Sequence, residues 1–135
     1  MNTIKKATAL LTVLLAGLHI SLAAPKPTPE EQIVTFLWSV PGSTEDATEL
    51  IYNVVEDAYN TRITFKRDKT FKGSDGMGGL WSFVGGKLIL TALDAKDGFT
   101  IRFDPPTPNA QQLKGIVTSK GRWHGRHIIL KASPK

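Results

Sequence analysis

The spacing of apolar residues changes along this chain, and each change marks an element. Residues 7–18 form an apolar run broken only by Thr8, Thr12 and Gly17. Residues 33–40 (IVTFLWSV) are β-branched and aromatic and stop at Pro41-Gly42, which predicts a first strand. Leu50, Ile51, Val54, Val55, Ala58 and Tyr59 then recur at three- and four-residue spacing, with Glu49, Asn53, Glu56 and Asp57 opposite. With Ser43 as N-cap and Glu45 and Asp46 in the first turn, the spacing predicts an amphipathic helix over residues 43–59. A strand over residues 50–55 competes, because Ile, Tyr and Val favour sheets.

From Arg62 the period becomes two. Residues 62–66 alternate, Arg67-Asp68-Lys69 turns, and residues 70–72 return, which describes a hairpin. After the flexible connection GSDGMGG at 73–79, LWSFV (80–84) and KLILT (87–91) flank Gly85-Gly86, the clearest two-residue hairpin signal in the chain. FTIRF (99–103) alternates again, a loop covers 104–112, and strands follow at 113–119 and 126–132 around a turn region at 120–125. About eight short strands at meander spacing predict a mainly β fold. The expected architecture is a small antiparallel up-and-down barrel with one amphipathic helix after the first strand.

Length and composition narrow this picture. A chain of 135 residues allows one ordinary domain, and the absence of cysteine excludes a disulfide scaffold, thiol catalysis, cysteine-ligated metals and a lipidated N-terminal Cys. Lys5-Lys6 before the apolar run, and the small residues Ser21 and Ala23 after it, give residues 1–23 the layout of a secretory signal peptide, since the run is too short for a comfortable permanent span. Cleavage after Ala23 is expected, leaving 112 residues, lowering the net charge from +5 to +3, and sending the product to a periplasm or outside the cell. Pro25, Pro27 and Pro29 make residues 24–32 an extended lead-in to a single domain at 33–135.

The runs ITFKRDKTFKG, GGLWSFVGGKLILT, DGFTIRF and LKGIVTSKGRWHG with IIL resemble small bacterial extracytoplasmic lipocalin-like domains over residues 62–132. Such phrases encode hairpin geometry rather than a site. The chain departs from the pattern with Lys69, where a turn glycine is usual. By analogy with fatty-acid-binding proteins, an early helix implies a lid over the barrel mouth.

Charge is uneven. Residues 24–61 carry −6 and residues 62–135 carry +9. The simpler reading is intramolecular, with the acidic segment docked on its own basic sheet; the alternative is a basic face for a protein or other anionic partner. Nucleic acid is disfavoured, because +3 overall is modest. His124 and His127 are three apart, but no other His or Cys follows the leader, so no metal site and no cofactor are expected. Trp123 between Arg122 and Arg126 is read as closing one end of the barrel rather than stacking on a base or sugar. No G-x-S-x-G, S-x-x-K or H-E-x-x-H spacing supports catalysis, and GSDGMGG lacks the ending of a phosphate loop.

An eight-stranded barrel is either filled by its side chains or holds one small ligand. The candidate ligand-binding residues are the aromatics Trp38, Tyr59, Phe65, Trp81, Phe83, Phe99, Phe103 and Trp123. The leading expectation is an exported, noncatalytic module for a small hydrophobic or amphipathic ligand at the barrel mouth. The alternatives are an exported inhibitor- or immunity-type protein acting through loops 73–79 and 104–112, and a small barrel enzyme of the cyclase or isomerase kind.

Overall fold

The computed structural model describes residues 25–93, 99–108 and 111–132. The predicted leader, residues 1–23, lies outside them. Eight antiparallel strands, each paired to the next, close into a barrel as the last pairs with the first. They are β1 (Ala47–Val54), β2 (Tyr59–Lys66), β3 (Thr70–Gly73), β4 (Gly78–Val84), β5 (Lys87–Ala92), β6 (Phe99–Phe103), β7 (Gln112–Val117) and β8 (His127–Ala132). Closure leaves no unpaired edge. Among the described residues one helix, α1 (Pro29–Trp38), precedes them. Among the described residues no helix is long and apolar enough to cross a membrane.

Helix and first strand therefore stand in the reverse of the expected order. Residues 33–38, expected as a strand, are helical, and so are Pro29 to Gln32, expected as extended lead-in. The cause lies just upstream. The Thr28 hydroxyl accepts from the Glu31 N–H at 3.2 Å, while the Glu31 carboxylate accepts from the Thr28 N–H at 3.4 Å. This capping box satisfies donors that a helix start leaves open, and Pro29 occupies the first turn, where its missing N–H costs nothing. Once started there, the helix carries Ile33 and Leu37, four residues apart, into the core with no exposure.

Residues 43–59, expected as a helix, hold a turn, all of β1 and the turn at 55–58. Ser43 does not cap a helix; its hydroxyl donates to the carbonyls of Trp38 and Val40. Along β1, Thr48, Leu50, Tyr52 and Val54 point inward, whereas Ile51, which the helical reading placed on the apolar face, lies between them on the outside. Leu50 and Val54 satisfy both periods. The strand prevails because β1 is paired on both sides, to β2 (Leu50↔Ile63) and to β8 (Tyr52↔Leu130), so tertiary hydrogen bonding overrides local spacing.

The two barrel ends differ. At one, α1 packs by the β4–β5 turn, whose Gly85 and Gly86 have φ of 58° and 76°, the paired left-handed geometry of a tight hairpin. The buried Thr48 hydroxyl donates to the Leu37 carbonyl at 2.7 Å and ties α1 to β1. Behind it Phe65, Leu88, Leu90 and Phe103 are fully buried, and Trp38 meets Trp81 at 6.1 Å between ring centroids. Arg67 lies 3.9 Å above the Trp38 ring. This end is solid core.

Three acids of the first half pair with bases of the second. Glu49 faces Arg62 across β1 and β2 at 3.7 Å, Asp57 faces Arg126 at 3.3 Å, and Glu56 hydrogen-bonds the His127 ring and backbone. All three pairs are solvent-accessible, so each adds little stability by itself. The His127 hydrogen bond draws the Glu56 carboxyl down to about 2 from its ordinary 4.5. A carboxyl lowered by folding stabilises the fold above its unfolded value, and that contribution disappears as pH falls through the folded one. The melting temperature of Glu56→Gln is thus expected to lie below the parent's above pH 4.5 and to converge with it near pH 2. Thermal melts followed by circular dichroism across that window check this; a constant gap would mean that the pair contributes no linkage.

Candidate functional site

At the end away from α1, no described residue plays the part of Ile33 and Leu37. There a cavity of about 460 Å³ opens. Its walls come from the inward positions nearest that end: Val54 of β1, Phe99 of β6, Val117 of β7 and Ile128 of β8. Met77 from the 74–77 loop and Trp123 from the 118–126 loop complete the apolar lining. The polar groups are Tyr52, Tyr59 and Asp75, with Gly76 beside them.

Local hydrogen bonds set the polar side in place. Ser74 is fixed to β2 through the Thr61 hydroxyl at 2.8 Å and through the Arg62 N–H, which donates to the Ser74 hydroxyl at 3.2 Å. Asp75 then accepts the Met77 N–H on Oδ1 at 3.0 Å, an Asx turn, and the Tyr59 hydroxyl on Oδ2 at 2.8 Å. Tyr52 is only 4% exposed. Burial pushes its phenol up, and the nearby Asp75 and Tyr59 add to the effect. The phenol of Tyr59 is also raised, chiefly by its hydrogen bond to Asp75. Both tyrosines therefore stay protonated near neutral pH, with the Tyr59 hydroxyl donating to the Asp75 carboxylate.

Of the aromatics expected to bind ligand, Tyr59, Phe99 and Trp123 line the cavity, Tyr59 and Trp123 being 41% and 38% exposed at its rim. Trp38, Phe65, Trp81, Phe83 and Phe103 do not. They pack toward the α1 end, where Trp81 is the hub, 6.4 Å from Phe65 and 5.8 Å from Phe83. The physical reason is α1, which occupies the end those side chains face. Nor, among the described residues, does a lid helix cover the mouth, because the segment expected to form one is β1.

Sequence reading missed Tyr52, Asp75 and Met77. Tyr52 falls within the segment whose spacing predicts a helix. Asp75 falls within the GSDGMGG connection, where its Asx turn places it at the cavity. His124 and His127 make separate contacts, with the Ser119 carbonyl at 3.0 Å and with Glu56. Among the described residues no group of three His, Cys, Asp or Glu could hold a metal ion.

The fold and cavity define a small eight-stranded antiparallel barrel with one short helix, closed at one end and open at the other, consistent in general terms with a lipocalin-like fold. Comparison with protein-family models, curated proteins and solved structures finds no match to this chain.

Proposed function

We propose that this chain is an exported, noncatalytic module that binds a small hydrophobic or amphipathic molecule in its open barrel mouth. The observation that carries this reading is the cavity of about 460 Å³ walled by apolar side chains, with three polar groups gathered on one side. Its size falls within the ~300–1,000 Å³ usual for small-molecule sites, and apolar walls with a few fixed polar groups are their usual lining. Export rests on the charged, apolar and small-residue order of residues 1–23, and a bacterial extracytoplasmic setting on the hairpin phrases of residues 62–132.

Catalysis is less well supported than binding. Tyr52 is a buried ionisable group facing the cavity, but a phenol raised well above neutrality is poorly matched to proton transfer and well suited to donating a hydrogen bond. A loop-mediated protein contact is also less favoured, since the 74–77 loop is tied to β2 and turns Asp75 and Met77 toward the cavity.

Filling the cavity tests the proposal. Met77→Trp adds bulk from a loop without altering the strand ladders, and it is expected to weaken a polarity-sensitive dye by about tenfold, or ~1.4 kcal/mol. Met77→Leu should retain binding, and both variants should keep the parent's melting temperature within a few degrees. Native mass spectrometry of protein from its own host should show a bound small molecule that Met77→Trp lacks. Equal dye affinity in parent and Met77→Trp would place any binding elsewhere.

A further inference from the structure

Resting on the mouth-binding reading, we infer that the molecule held there carries a cationic nitrogen: an alkyl- or arylammonium group on an apolar body. The sign of the charge follows from the lining. Asp75 brings a carboxylate to the cavity, and no Lys, Arg or His stands among the described lining residues. Nor does Asp75 form an ion pair with a described residue. Of the described bases in the loops near the mouth, Arg126 pairs with Asp57, His127 pairs with Glu56, and Arg122 lies over the Trp123 ring at 5.1 Å.

The carboxylate is already oriented. Each of its oxygens accepts one hydrogen bond, from the Met77 N–H and from the Tyr59 hydroxyl, so further lone pairs remain for an incoming N–H donor. The rings of Tyr52, Tyr59, Phe99 and Trp123 line the same cavity, and an aromatic face attracts a cation. A neutral apolar ligand would strip water from Asp75 and return nothing to it, and an anion would meet a like charge. An ammonium group satisfies both features, while its apolar body lies against Val54, Val117 and Ile128.

The test uses three probes of similar shape and different charge: 2-phenylethylammonium, 3-phenylpropan-1-ol and 3-phenylpropanoate, titrated calorimetrically into the full protein without its leader. The ammonium probe is expected to bind most tightly. Asp75→Asn should weaken it by about tenfold, the order of loss for one charge-assisted contact, and leave the alcohol unchanged. Asp75→Glu should retain the preference for the cation. If Asp75→Asn does not fold, the ranking of the three probes on the parent still decides the matter. Alcohol or carboxylate binding as tightly as the ammonium, or an ammonium affinity indifferent to Asp75→Asn, would overturn the cation assignment and leave the mouth reading standing. If none of the probes binds and Met77→Trp leaves dye affinity unchanged, both fail.

Discussion

Replacing Leu37 by alanine is expected to cost about 2–5 kcal/mol of stability, the usual range for a leucine lost from a packed core. Leu37 has no exposure and, with Ile33, fills the closed barrel end. The void left behind would be slow to collapse. The surrounding walls are strands held on both sides by hydrogen-bonded ladders, and α1 is tied to β1 through the Thr48 hydroxyl, so neither can easily move inward. Against a typical domain stability of ~5–15 kcal/mol, such a loss is a large fraction of the whole. Thr35, exposed on the other side of α1, supplies the control, and Thr35→Ala should change stability by less than about 0.5 kcal/mol. Urea unfolding of the parent and both variants measures the difference. Equal midpoints would mean that α1 does not plug the barrel.

Gly79→Ala is expected to be comparably damaging, at about 3 kcal/mol or loss of the fold, the upper end of overpacking effects. A Cβ at this position of β4 would collide with the Thr91 carbonyl oxygen and stand 3.0 Å from the Ala92 Cα. These are backbone atoms of the neighbouring β5, and no flexible side chain is available to yield. The ladder that pairs Gly79 with Ala92 and Trp81 with Leu90 would have to shift, displacing Trp81 from the closed end. Gly76 offers the comparison. Its φ of +95° strains any other residue, yet a Cβ there meets nothing within 4 Å. Gly76→Ala should therefore cost only about 1–2 kcal/mol of backbone strain. Thermal melts of the two variants separate close approach from strain, and a milder effect at Gly79 would contradict the packing described for β4 and β5.

The hairpins were legible in the sequence because their chemistry is local. Gly85-Gly86 supplies two left-handed positions between two apolar runs, and the turn sits there. Lys69 shows a local rule broken and compensated. It occupies the left-handed position expected of a glycine, with φ of 74°, while its ammonium lies 4.0 Å above the Trp81 ring. The helix was legible too, but in the wrong place. Thr28-Pro29-Glu30-Glu31 is a helix start, although three prolines in five residues make it look like an extended lead-in. At residues 50–59, apolar spacing compatible with both periods favoured a helix in isolation.

By itself, the sequence determined a cysteine-free chain whose seven strands from β2 to β8 are joined in a meander, because period-two alternation and turn chemistry act over a few residues. Only the tertiary structure decided which barrel end is solid and which is open. That outcome depends on α1 entering one end and filling it with Ile33 and Leu37, so that aromatics of equal promise in the sequence divide between packed core and cavity. Ring closure likewise made β1 a strand by offering it partners on both sides, and it brought Tyr52, Tyr59 and Asp75 together from separate elements. No local pattern encodes that meeting, since it exists only when the barrel is closed.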